Sequence, residues 1–171
     1  AFPIPGRAGE RYIVTGRPVP ADVGHADRAD ARERFGIAAG DRCLLVFGGS
    51  QGARSINLAA VEAFGSDPDR GFHVLHISGR RDHAEVRELL GAAVSRYTLI
   101  DYEPGLADAL AAADLVLRRS GGSIFQIAAA GRPAVLVPYP HAAGDHQRGN
   151  ATWMAEAGAA IVIEDADLDA A

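Results

Sequence analysis

Six short, mainly apolar runs recur along the chain, at 43–47, 72–77, 97–100, 114–117, 133–137 and 160–163. The first five are each followed by a polar turn and a stretch of helical character, at 53–64, 82–90, 106–112, 123–130 and 145–157. Unbroken apolar runs of four to six residues read as strands covered on both faces. Helices of about ten residues between them read as the crossovers of parallel βαβ units. Gly131-Arg132-Pro133 and Gly158 supply stop signals where two of these helices should end. A charged stretch at 27–35, closed by Gly36, predicts a surface helix ahead of the first strand. Residues 1–11, rich in Pro and Gly, read as a linker, and 12–16 as a short strand closed by a Pro/Gly turn. The expected fold is α/β: a doubly wound, mostly parallel, six-stranded Rossmann-like sheet over 12–171 with helices on both faces. The commonest strand order for such a sheet is 3-2-1-4-5-6.

Composition narrows the function classes. A chain of 171 residues is the size of one domain and can bury roughly 70% of its unfolded surface. Its 48% hydrophobic and 23% charged residues suit a water-soluble core. A net charge of -5 argues against a nucleic-acid partner, which needs clustered Lys and Arg. It does not argue against one small anion held by local dipoles. Cys43 is the sole cysteine, so no internal disulfide forms and a reducing compartment is expected. No apolar run approaches the roughly 20 residues of a membrane span, and no signal peptide is visible. The sole methionine is Met154, and 165–171 read like the start of a further helix, so the chain is expected to be part of a longer protein.

The candidate chemistry lies in two glycine turns. Gly48-Gly49-Ser50-Gln51-Gly52 follows the first strand, and Arg119-Ser120-Gly121-Gly122-Ser123 follows the fourth. In the expected order those strand ends flank the crevice where a doubly wound sheet binds its ligand. Helix starts there offer unpaired N–H groups and partial positive charge to an anion such as a diphosphate. Neither turn is a GxGxxG fingerprint or a P-loop, and each also reads as a plain connection, with Ser123 as an N-cap. Between 139 and 150, Asp145, His146, Gln147 and Asn150 form a dense set of donors and acceptors suited to sugar hydroxyls. The plainer reading is an N-cap at Asp145 and a solvated helix start. Arg118 and Arg119 either face solvent or balance phosphate charge. Arg80 and Arg81 stand where an NAD site carries an acid for the ribose, which leaves an NADP-binding oxidoreductase as a second reading. His141 and His146 have no third ligand at obvious spacing, so no metal or cofactor is expected. Without a G-x-S-x-G elbow, hydrolase chemistry is disfavoured.

The segments 45–53 (LVFGGSQGA), 118–131 and 145–151 (DHQRGNA), taken in that order, resemble the MurG family. Those N-acetylglucosaminyltransferases convert lipid I to lipid II in bacterial peptidoglycan synthesis. The resemblance covers the donor-binding half of a two-domain GT-B enzyme. It implies that Gly49, Ser50 and Gln51 lie at the diphosphate and neighbouring sugar, and that Gly122 and Ser123 meet the phosphates. Tyr102 and the backbone of Glu103 would bracket the uracil, and His146, Gln147 and Asn150 would reach the sugar hydroxyls. Gln126 matches a family glutamate that grips the ribose diol. The family's Gly-Asn-Pro-Val-Arg reads Gly16-Arg17-Pro18-Val19-Pro20 here, so its arginine has become Pro20. The implied donor is UDP-N-acetylglucosamine, and the implied acceptor a lipid-linked precursor held by an N-terminal half outside this chain. The implied location is the cytoplasm, peripheral on the inner face of the cell membrane. A noncatalytic sugar-nucleotide sensor is a third reading.

Overall fold

A computed structural model of the chain describes residues 17–48, 53–67, 70–92 and 94–168. Its centre is one six-stranded sheet, every strand parallel to its neighbours, in the order β3-β2-β1-β4-β5-β6. The strands are β1 (Arg42–Phe47), β2 (Phe72–Ile77), β3 (Tyr97–Ile100), β4 (Leu115–Arg118), β5 (Ala134–Leu136) and β6 (Ala160–Val162). The helices are α1 (Arg28–Phe35), α2 (Arg54–Phe64), α3 (His83–Leu90), α4 (Leu106–Ala112), α5 (Ile124–Ala129) and α6 (His146–Glu156). The expected fold class and strand order both stand. The linker expected at 1–11 and the short strand at 12–16 lie outside the described residues.

Alternate residues of β1 serve the two faces of the sheet, which is why the strand reads as one apolar run. Leu45 and Phe47 join the larger core with residues of α1, α4, α5 and α6. Leu44 and Val46 join the smaller core with Ile56 and Ala60 of α2. Both cores are legible from composition: alanines 107, 109, 111, 112 and 113 let α4 lie close on the strands. Cys43 is buried in the larger core, where desolvation pushes its thiol up to about 11. It acts as a small apolar residue.

α1 is the surface helix expected, with Ala29, Asp30, Glu33 and Arg34 exposed, but Ala31, Arg32 and Phe35 are buried. Gly36 closes it at φ 68 as expected, and Asp27, expected as its first residue, is instead its N-cap, whose carboxylate accepts from the Ala29 and Asp30 N–H groups. Its arginines, however, bind the end of α4. Arg28 donates to the carbonyls of Ala111 and Ala113 at 2.9 and 3.0 Å, and buried Arg32 donates to that of Ala112. Cations there satisfy orphan carbonyls and the negative end of the helix dipole. Both arginines also meet Asp114, at 2.5 and 2.9 Å.

A polar network lies under the start of α3. His76 shares hydrogen bonds with the Tyr97 hydroxyl at 2.7 Å and the Asn57 amide oxygen at 3.0 Å. Asn57 donates onward to the Ser78 carbonyl and the Asp82 carboxylate. Burial lowers the His76 pKa from 6.5 to about 4, so the folded chain holds it neutral. As pH falls, the unfolded chain takes up this proton first. The contribution to stability is therefore complete above pH 6.5 and is lost progressively towards pH 4. Urea unfolding at pH 7.5 and at pH 5 is expected to differ by about 2 kcal/mol on this account. The variant His76→Gln should remove most of that difference; an unchanged pH slope would place the titration elsewhere.

Candidate functional site

The carboxyl ends of β1, β2, β3 and β4 open onto a cleft of about 330 Å³. It is lined by Phe47, by Tyr102 and Glu103 after β3, and by Ser123 and Gln126 after β4. Pro20, Asp22 and Val23, from the segment before α1, line it too. Four of the residues singled out by sequence thus line one cavity, although they come from two connections 20 residues apart. The strand order leaves only β2 and β1 between β3 and β4, and the parallel direction of all four strands puts both connections at the same end of the sheet.

The β3–α4 loop is held by its acid. The buried Glu103 carboxylate pairs with Arg34 at 2.7 Å and accepts from the Gly105 N–H at 3.3 Å. Its side chain is therefore committed to the fold, and the role foreseen for its backbone remains open to a ligand. Tyr102 is exposed and carries the Arg80 guanidinium 4.4 Å above its ring. Arg81 is bound to Asp82 at 2.8 Å.

At the β4–α5 turn the backbone is tight. The Ile124 N–H returns to the Gly121 carbonyl at 3.2 Å, and the Gln126 N–H to the Ser123 carbonyl at 3.0 Å. Among the described residues, no acceptor engages the N–H groups of Gly121, Gly122 or Ser123. The Ser123 side chain makes no capping hydrogen bond, contrary to the N-cap reading. The residue lines the cleft instead.

Arg118 and Arg119 are both buried, which overturns the solvated reading for each. Arg119 is a strut: it bridges to Asp165 at 2.6 Å and donates to the Ser55 hydroxyl at 2.7 Å. This ties the segment after β6 to the start of α2. Arg118 has no carboxylate partner; its Nε donates to the neighbouring Arg119 carbonyl. Its guanidinium lies 4.4 Å from the centre of the Phe47 ring, and its Nη1 is buried without a partner. Desolvation lowers its pKa to about 9, with no carboxylate to oppose the shift.

The 139–150 loop divides its polar residues between frame and surface. Gln147 accepts from the Tyr139 N–H at 3.0 Å, and its Nε2 would lie 4.0 Å from a Cβ placed on Gly121. It lines a second cavity, of about 630 Å³, with Ser55, Arg119, Tyr139 and His141. Asn150 is buried and donates to the Ser120 carbonyl at 2.8 Å, so it clamps the β4–α5 turn from below. His146 is exposed at the start of α6. Asp145 is not the expected N-cap. It adopts a left-handed backbone at φ 51, and its carboxylate turns 3.4 Å from Arg148. Gly49, Ser50 and Gln51 lie outside the described residues. Among those described, no three His, Cys, Asp or Glu residues come close enough to hold a metal ion.

Residues 43–171 match the glycosyltransferase family 28 C-terminal domain. The chain belongs to this family. A relative from Moorella thermoacetica is named UDP-N-acetylglucosamine--N-acetylmuramyl-(pentapeptide) pyrophosphoryl-undecaprenol N-acetylglucosamine transferase. It is 41% identical over 175 residues, covering 96% of this chain and 46% of the relative. The protein of the same name from Halothermothrix orenii is 37% identical over 170 residues, covering 95% and 46%. The crystal structure of Acinetobacter baumannii MurG superposes with a TM-score of 0.70 at 27% identity, over 92% of this chain and 45% of that one. The family 28 chain thus spans about half the length of the curated relatives it matches. Its sheet is one half of a GT-B fold. The oxidoreductase reading finds no support: the relatives are transferases, and Arg80 and Arg81 are engaged by Tyr102 and Asp82.

Sequence reasoning missed Arg17 and Phe47 at this site. Phe47 was read only as the last residue of a buried strand. Arg17 stood in the very segment that departs from the family pattern, which was the signal available.

Proposed function

We propose that this family 28 domain binds UDP-N-acetylglucosamine as the donor half of an inverting transferase that builds a lipid-linked peptidoglycan precursor. The observation that carries this reading is the cleft at the strand ends: it is bounded by a turn with unoccupied N–H groups and lies beside a buried arginine lacking a counter-ion. On this reading a nucleoside would lie between Tyr102 and Gln126, with its diphosphate extending to the Gly121–Ser123 turn. Negative charge grows on the departing diphosphate during transfer, and fixed N–H dipoles and guanidinium groups stabilise it without reorganising. Gln126 offers an amide to the ribose diol in place of the family's carboxylate. It donates and accepts, but more weakly than an ionised group.

The acceptor is the lipid-linked sugar that the relatives' name describes. In the family this chain resembles, the base that activates the acceptor hydroxyl lies in the other half of the enzyme. The working enzyme is read as peripheral on the inner membrane face; among the described residues no helix is long and apolar enough to cross a membrane. The 171-residue chain is therefore expected to bind UDP in a calorimeter yet transfer no labelled N-acetylglucosamine to a lipid-linked acceptor. No heat at millimolar UDP would overturn the donor assignment. Turnover by the chain alone would overturn the division of labour.

A further inference from the structure

The segment before α1 that lines the cleft carries an unexplained cation. Arg17 is exposed and, among the described residues, has no hydrogen bond or ion pair. Yet its guanidinium lies against the β4–α5 turn. A Cβ placed on Gly122 would stand 2.5 Å from its Cζ and Nη1 and 2.7 Å from its Nη2. Only a residue without a side chain lets the planar group rest there. At the preceding residue of the same turn, the Nη2 of Arg118 would lie 3.6 Å from a Cβ on Gly121, and its buried Nη1 has no partner. Two guanidinium groups thus lie at one stretch of unoccupied N–H groups, and no described carboxylate bridges them. A diphosphate at this turn would give both cations a counter-charge.

We infer that Arg17 is a ligand of the donor's diphosphate and makes the site prefer a nucleoside diphosphate to a monophosphate. The inference rests on the proposed donor site. It assigns to this chain a cation three residues before Pro20, where the family pattern has its own arginine. A guanidinium meets two phosphate oxygens at once, a geometry an ammonium does not reproduce. Because Arg17 precedes α1 while Gly122 precedes α5, bound diphosphate would also tie the segment before α1 to the sheet.

The test is calorimetric titration of the 171-residue chain with UDP and with UMP, for the parent, Arg17→Ala and Arg17→Lys. The parent is expected to favour UDP. Arg17→Ala should lose about 10- to 100-fold in UDP affinity, as for one charge-assisted contact. Its loss for UMP should be much smaller, and Arg17→Lys should recover only part of the difference. Arg17 engages no hydrogen-bond partner, so unfolding midpoints of the variants should match the parent and a lost fold cannot imitate the effect. UDP affinities equal within twofold for parent and Arg17→Ala would sink this inference while leaving the donor site intact. A parent that binds no UDP would sink both.

Discussion

Replacing Arg118 with methionine is expected to stabilise the free chain by about 1 kcal/mol while weakening its hold on UDP by about 10- to 100-fold. The two effects have one cause. Arg118 is 3% exposed, its Nε donates only to the Arg119 carbonyl, its Nη1 lacks a partner, and no carboxylate compensates its charge. The stacking on Phe47 at 4.4 Å offsets part of the cost and is worth about 0.5–2 kcal/mol. Methionine keeps an unbranched stem of similar reach and adapts to irregular space, so it fills the site without the desolvation penalty. A diphosphate at the adjacent turn would supply the missing counter-charge, which the variant cannot use. Urea unfolding without ligand and calorimetry with UDP read the two effects separately. A variant that is less stable and binds UDP as the parent does would make Arg118 a structural residue.

Asp114→Ala should cost about 3 kcal/mol, mostly through the cations it leaves behind. One carboxylate accepts from Arg28 at 2.5 Å, from Arg32 at 2.9 Å and from the Cys43 N–H at 2.8 Å. It joins α1, the start of β1 and the entry to β4 at a single point. Without it Arg32, whose side chain is 6% exposed, stays buried with carbonyls as its only acceptors. Burial by itself would raise the Asp114 carboxyl, but the Cys43 N–H and the two guanidinium groups hold it below its ordinary value. Its contribution is therefore present above the unfolded carboxylate's pKa and is lost as pH falls through the folded one. Denaturant titrations should show the gap between parent and Asp114→Ala closing under acid conditions. Asp114→Asn, which keeps an acceptor for the Cys43 N–H, should fall between them. A gap that stays constant with pH would mean that the ionised carboxylate is not the anchor.

Much of the frame was legible along the chain. Every strand edge lies within one residue of its apolar run. The end of α1 was readable because Gly36 acts on its own neighbours, whereas Asp27, read as the first helical residue, serves as the N-cap. The same local logic failed at α6. Asp145 has the right chemistry for an N-cap, but Gly144 and Asp145 both turn left-handed to bring the chain off β5. Sequence also named Tyr102, Glu103, Ser123 and Gln126, and these do share a cleft. It could not say that the Glu103 side chain would be taken by Arg34, or that Asn150 would brace the Ser120 carbonyl.

Alternation of buried runs with amphipathic stretches specified the doubly wound sheet, because backbone hydrogen bonding and burial are written in each segment's own residues. The direction taken by each arginine was not. Arg28 and Arg32 cap α4, Arg119 struts Asp165, Arg118 is buried without a carboxylate partner, and Arg17 lies over Gly122. A long cationic side chain finds its partner among groups tens of residues away, and only the packing of helices onto strands brings such groups within its reach.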